Sequence, residues 1–233
     1  MDASTFRRVR INLHNVSAYL IHNGDRAMLI DSGRRGSADR ILQAMKQEGL
    51  SPGQLEWLVL THSHYDHAGS AAALKKSCGC RVLVHHSEAA RLRRGKTPMP
   101  RGTRWKARVL TALGRGLAPW ILSYRRVDPD AELGGDANLE DYGFPGSIWH
   151  LPGHSPGSIG ILWPDGSFYC GDVVFGLAGK ELFPPFAEDV SGLLESWDRL
   201  AGLPFKTLYP GHGRPISAAE FLAAQQLARE KYG

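Results

Sequence analysis

The stretch Thr61-His62-Ser63-His64-Tyr65-Asp66-His67-Ala68-Gly69 puts three histidines and one carboxylate within six residues. Imidazole nitrogens combined with a carboxylate oxygen form a donor set that suits zinc or iron. In an extended turn His62 and His64 point the same way and can grip one ion, while Asp66 and His67, at the start of a helix, can face a second. Histidine clusters also occur on surfaces without a role. This one follows the apolar run Leu58-Val59-Leu60, so it falls at the carboxyl end of a buried strand, where α/β proteins place their sites. Further donors then belong at other strand ends. His154 follows Trp149-His150-Leu151-Pro152-Gly153, Asp172 follows Phe168-Tyr169-Cys170-Gly171, and His212 follows Leu208-Tyr209-Pro210-Gly211. In each case Gly or Pro makes the turn that lets the side chain reach inward. Singly, such a residue is more often a cap or a solvated loop position; beside the first cluster, the three form a set.

The elements that must position these groups alternate. Val9 to Leu13, Ser17 to Ile21 and Ala27 to Ile30 predict three antiparallel strands, with a hairpin turn at Asn23-Gly24-Asp25. Helical spacing begins at Ser37 and stops at Gly49, a buried strand follows over Leu55 to Leu60, and Ala68 to Lys76 predicts a helix. Val82 to Val84 reads as a strand, and Ser87 to Arg94 as a helix capped by Ser87. From Gly95 to Asp141 the order breaks in a segment rich in Pro, Gly and Arg, expected to be an inserted lid. Strands resume at Ser147 to Leu151, Ser158 to Trp163 and Ser167 to Cys170, and a helix spans Ser191 to Leu200. A short strand follows at Thr207 to Tyr209, and Ser217-x-x-Glu220 resembles a capping box opening a last helix. Two strand-rich halves with helices predict two sheets packed face to face within a single domain over residues 1–233, with the lid at 95–141.

Of the 233 residues 42% are hydrophobic, enough for an ordinary globular core, and no apolar run is long enough to span a membrane. Met1 to Asn12 has charge but no apolar run before Arg7-Arg8, so no secretory signal is read. Three cysteines, Cys78, Cys80 and Cys170, make no disulfide framework. The cytoplasm is the expected compartment. The net charge of +5 is local: eight Lys or Arg and no acid lie between Arg91 and Arg108, leaving 20 bases against 23 acids elsewhere. Within it Arg93, Arg94, Arg104 and Trp105 are candidate substrate-lid residues; a solvated lid edge is the commonest reading of such a run, a groove for an anionic substrate the next and a nucleic-acid path the third. One interleaved aromatic is too few for a nucleic-acid stacking platform, so nucleic acid is not the expected partner.

With these motifs in view, the chain resembles the metallo-β-lactamase superfamily. The resemblance rests on Leu29-Ile30-Asp31-Ser32-Gly33, the His-x-His-x-Asp-His run from His62 to His67, Gly153-His154-Ser155-Pro156-Gly157-Ser158, Gly171-Asp172 and Pro210-Gly211-His212-Gly213. It implies an α/β fold, the four-layer αββα sandwich. It implies further that His62, His64 and His154 bind one metal and Asp66, His67 and His212 a second, with Asp172 bridging. The expected cofactor is two zinc ions, with iron or manganese as alternatives. A metal-bridging hydroxide would attack the carbonyl of a small-molecule ester, thioester, lactone or lactam, and Asp66 would also move the proton. Asp31 and Thr61 would fix the tautomers of ligand histidines.

The superfamily hosts many chemistries, and some can be set aside. Type II glyoxalases carry a carboxyl-terminal helical region for glutathione, whereas 21 residues follow His212 here, so a full glutathione-thioesterase site is not expected. Persulfide dioxygenases use one iron, and the stretch they carry after Gly-Asp is replaced by Val173 to Lys180. They remain the rival reading, beside phosphodiesterases or nucleases of the same fold. Native substrate, resident metal and oligomeric state are not legible in the sequence.

Overall fold

The computed structural model describes residues 3–98, 101–103, 109, 111, 122–177 and 181–233. The chain divides into two compact units, one formed by Met1–Thr97 with Leu122–Gly134, the other by Pro98–Ile121 with Gly135–Gly233.

In the first unit six strands form a sheet in sequence order: β1 (Arg7–Leu13), β2 (Val16–His22), β3 (Ala27–Ile30), β4 (Leu55–Val59), β5 (Arg81–His85) and β6 (Ala131–Leu133). The first three are antiparallel, and β3 through β6 run parallel. Parallel neighbours need crossovers, here supplied by α1 (Ala38–Gln47), α2 (Tyr65–Ala68), α3 (Ala71–Cys78) and α4 (His86–Arg94). Side chains alternate along each strand. Ile11, Leu13, Ala18, Leu20, Leu29, Leu58 and Val84 therefore share a core with Ile41, Met45, Leu74 and Leu92 of the helices. The intervening Tyr19, Ile21, Met28, Ile30, Val59 and Leu83 are buried too, so the central strands are covered on both faces. β1, at one edge, keeps Arg7, Arg8 and Arg10 exposed.

Three expectations change here. The helix expected over 68–76 is two helices, with Gly69 still helical at φ −60° and the departure at Ser70, φ −104°; at Gly69 the chain passes so close to the loop before α1 that a Cβ would stand 2.4 Å from the Arg35 nitrogen. The Ser70 hydroxyl holds that approach, donating to the Arg34 carbonyl and accepting from the Ser37 amide at 2.9 Å. Ser87 is not the cap of α4; His85 is, its Nδ1 accepting from the Ser87 amide at 3.3 Å, so the helix begins one residue earlier. Parts of the segment expected as a lid are scaffold: Tyr124 and Val127 enter the first core, Ala131–Leu133 is β6, and Ala137–Asn138 begins the second sheet. These strands have three and two residues, too short to show a period of two among so many polar neighbours.

The second unit holds β7 (Ala137–Asn138), β8 (Ser147–His150), β9 (Ile159–Leu162), β10 (Ser167–Gly171), β11 (Thr207–Pro210) and β12 (Ile216–Ser217). Their order is β12-β11-β10-β9-β8-β7, with β10 and β11 the parallel pair. Between β9 and β10, Asp165 Oδ1 accepts from the Ser167 amide at 2.9 Å and Gly166 takes φ +92°, closing the turn read from Pro164-Asp165-Gly166. Helices α5 (Val190–Ala201) and α6 (Ala218–Tyr232) bury Leu193, Trp197, Leu200 and Phe221 against Leu151, Phe168, Cys170 and Leu208. Ser217 caps α6 by accepting from the Glu220 amide at 3.2 Å, but the Glu220 carboxylate pairs with Arg214 at 2.9 Å and closes no reciprocal box.

All three cysteines are buried free thiols. Burial pushes the Cys80 thiol up to about 12, with Cys78 beside it adding to the rise. An unfolded chain ionises its thiol first, near 9.0, so the folded state loses stability as pH climbs from there toward about 12. Urea midpoints measured across that range should fall less steeply in Cys80→Ala than in the parent. Identical slopes would remove this thiol as a cause.

Candidate functional site

In the first unit the strand ends converge on one buried carboxylate. Asp31, the residue after β3, adopts a left-handed backbone with φ 62° and is held there by its amide, which donates to the Val59 carbonyl at 2.9 Å. Non-glycine residues rarely take this conformation, and Asp is among the few that tolerate it. Its Oδ2 lies 2.8 Å from His67 Nδ1, and its Oδ1 accepts from the Thr61 amide at 2.8 Å. The Thr61 hydroxyl donates to the same carboxylate at 2.8 Å and lies 3.1 Å from His62 Nδ1. A carboxylate can only accept, and a hydroxyl has one proton to give. Both rings therefore carry their proton on Nδ1, His67 donating directly to Asp31 and His62 through Thr61. That leaves Nε2 as the nitrogen each ring offers a cation.

The three rings are packed together. His62 stands 4.4 Å from His64 and 4.2 Å from His67, centroid to centroid. Ser32 fixes the far side of His67, its amide and its hydroxyl both donating to the His67 carbonyl at 2.7 Å. Asp66 is half-buried in α2, beside His67.

In the second unit three side chains converge. His154 Nε2 stands 3.6 Å and His212 Nε2 3.4 Å from Asp172 Oδ2, all three residues being buried. Donors around a tetrahedral zinc, bound at about 2.0–2.1 Å, stand roughly 3.3 Å apart, so these separations suit a cation between them. The His154 ring is oriented by its Nδ1, 3.0 Å from the Phe186 carbonyl. Asp172 follows β10, where Gly171 takes φ 50° and its carbonyl accepts from the Gly211 amide at 2.8 Å, tying the ends of β10 and β11 together. Trp197 Nε1 donates to the Val173 carbonyl at 2.7 Å, pinning the residue after Asp172 to α5.

Phe175, which no motif marks, stacks its ring on His212 at 4.9 Å and 18°. An aromatic three residues past Gly171-Asp172 was the available signal. Glu88, equally unmarked by any motif, is fully buried and bonded to Ser63 between two of the histidines. Of the candidate lid residues, Arg93 pairs with Glu132 and lies 3.6 Å from Asp128, Arg94 is exposed at the end of α4, and Arg104 and Trp105 lie outside the described residues. His86 and His150 bond to the carbonyls of Leu133 and Pro156 at 3.0 and 2.9 Å.

A family model, the metallo-beta-lactamase superfamily, matches residues 11–212, and the chain belongs to that superfamily. It is similar to a hydroxyacylglutathione hydrolase of Anaeromyxobacter dehalogenans, at 28% identity over 73% of this chain and 50% of that one. It is also similar to the probable metallo-hydrolase YqgX of Bacillus subtilis, at 27% identity over 89% of this chain and 90% of the relative. The chain thus spans half the length of the first of these. A metallo-β-lactamase of Cronobacter sakazakii with a HARLDQ motif shares the fold, with a TM-score of 0.70 at 20% identity over 97% of this chain and 89% of that one.

The loop bearing His212 depends on two glycines. Gly176 donates to the His212 carbonyl at 2.8 Å, and at Gly213, with φ +94°, a Cβ would stand 2.2 Å from Gly176 backbone. Gly213→Ala adds backbone strain to that clash and is expected to cost roughly 2–4 kcal/mol. Urea denaturation checks it, and an unchanged midpoint would mean that the loop yields.

Proposed function

We propose that the chain is a metal-dependent hydrolase with a binuclear site, acting on the carbonyl of a small ester, thioester, lactone or lactam. The observation that carries the reading is the Asp31 carboxylate orienting two buried imidazoles, since ligand histidines ordinarily give their second nitrogen to such a partner. Membership of the superfamily and the two imidazoles beside Asp172 Oδ2 support it. His62, His64 and His154 would hold one ion, and Asp66, His67 and His212 the other, with Asp172 shared between them. Two cations held there would supply a water of lowered pKa and would polarise a substrate carbonyl. Zinc suits this donor set.

The residues of the chain then have distinct tasks. Asp31 and Thr61 keep His62 and His67 in one tautomer, so neither ring turns as charge develops nearby. Asp66, less buried than the histidines, would accept a proton at its carboxylate and deliver it to the leaving group. Phe175 would hold the His212 ring flat and present an apolar edge to the substrate. Thioesters head the substrate screen, because the names of several relatives specify hydroxyacylglutathione hydrolysis. Among the described residues no helix is long and apolar enough to cross a membrane. The buried thiols support a reducing compartment, the cytoplasm.

Elemental analysis of the purified protein should find about two zinc per chain. One iron per chain would redirect the assignment to sulfur oxidation, and no metal would sink it. His64→Ala and Asp172→Ala should lose metal and turnover while keeping a cooperative melt; full turnover in either would overturn the assigned roles. Asp31→Ala is expected to weaken zinc retention by about 10–100-fold, read by competition with a chromogenic chelator. Retention equal to the parent would make Asp31 a strand-end cap and nothing more.

A further inference from the structure

We propose that Glu88 is a positioning residue that sets the spacing of His62 and His64 by holding the peptide between them. This inference rests on the metal-site reading above. Ser63 is the residue between the two rings, and its amide, hydroxyl and carbonyl are all anchored. Its amide donates to Glu88 Oε2 at 3.2 Å and its hydroxyl donates to the same oxygen. Its carbonyl accepts from the Tyr124 hydroxyl at 2.8 Å and from the Thr97 hydroxyl at 3.2 Å. The turn bearing both histidines is thus tied to the first turn of α4 and to the segments at Thr97 and Tyr124.

Glu88 is 0% exposed. Burying a carboxylate costs several kcal/mol unless its oxygens are well satisfied. The two Ser63 donors, the amino-terminal turn of α4 in which Glu88 sits, and the Arg91 guanidinium at 3.8 Å offset that cost. For packing alone, an apolar residue at this position would serve α4 as Ala89 and Leu92 do. What an apolar side chain cannot supply is an oxygen that accepts from both Ser63 groups at once. Rings held 4.4 Å apart at 81° present their nitrogens to one ion only while that peptide stays put, and a ligand set that drifts binds more weakly.

The test measures zinc affinity by chelator competition and the visible spectrum of the cobalt-loaded protein, for the parent, Glu88→Ala, Ser63→Ala and the double variant. Melting of each metal-free protein is followed in parallel. Glu88→Ala should bind zinc about 10–100-fold more weakly with an altered cobalt spectrum, at temperatures where it is folded. Ser63→Ala should lose less, and the double variant no more than Glu88→Ala, because both act through one contact. Glu88→Gln, which keeps an acceptor oxygen, should recover most of the affinity and covers the case in which the alanine variant does not fold. Zinc binding in Glu88→Ala within twofold of the parent overturns the proposal, as does a double variant whose loss is the product of the single losses. A parent protein that takes up no metal overturns the hydrolase reading itself, and this inference with it.

Discussion

One carboxylate, that of Asp31, organises the first half of the molecule. It accepts from His67, from the Thr61 amide and from the Thr61 hydroxyl, and through that hydroxyl it orients His62. Buried at 2% exposure, it would be a liability without those donors. The ends of β3 and β4 and the start of α2 must therefore meet at this point. The positive φ at Asp31 is what turns its side chain out of the strand line and into that junction. Backbone strain and a buried charge, each unfavourable alone, are compensated by the same set of hydrogen bonds.

The second unit meets a similar demand with backbone instead of charge. Gly171 bonds to Gly211 and Gly176 to the His212 carbonyl, so the Asp172 and His212 loops are fastened by main-chain contacts, and at Gly176 and Gly213 the approach is one that a side chain would block. Trp197 adds the anchor to α5 and packs on Phe183 and Phe221 at 5.1 and 5.0 Å. A displacement of the α5 core would therefore be felt at Val173, one residue from the Asp172 carboxylate. Packing and donor geometry are the same problem at this place.

Much of this was legible in the residues. The alternation from Val9 to Ile30 gives β1 to β3, and the apolar runs before His62, His154 and Asp172 give the strands that end there. Side chains two apart on an extended chain share a face, which is why His62 and His64 crowd together. The illegible parts share a cause: their partners are far away in sequence. Glu88 looks like an ordinary first-turn helix acid until Ser63, 25 residues earlier, is brought beside it. β6 and β7 are too short for periodicity and exist because a neighbouring strand offers a ladder. The chain leaves the helix at Ser70, whose hydroxyl is engaged by Arg34 and Ser37 of the loop before α1.

The arginines along β1 have a consequence of another kind. A strand at the border of a sheet displays unsatisfied main-chain donors and acceptors that invite a neighbouring molecule to extend the ladder. Arg8 and Arg10 place positive charge along this border, Arg7 pairs with Glu48 at 3.0 Å, and Arg10 Nε donates to Ser17 Oγ on β2 at 2.9 Å. Two such borders approaching each other repel before their backbones can pair. The edge thus acts against fibril-like self-association in concentrated solution, a protection that weakens as salt screens the guanidinium groups.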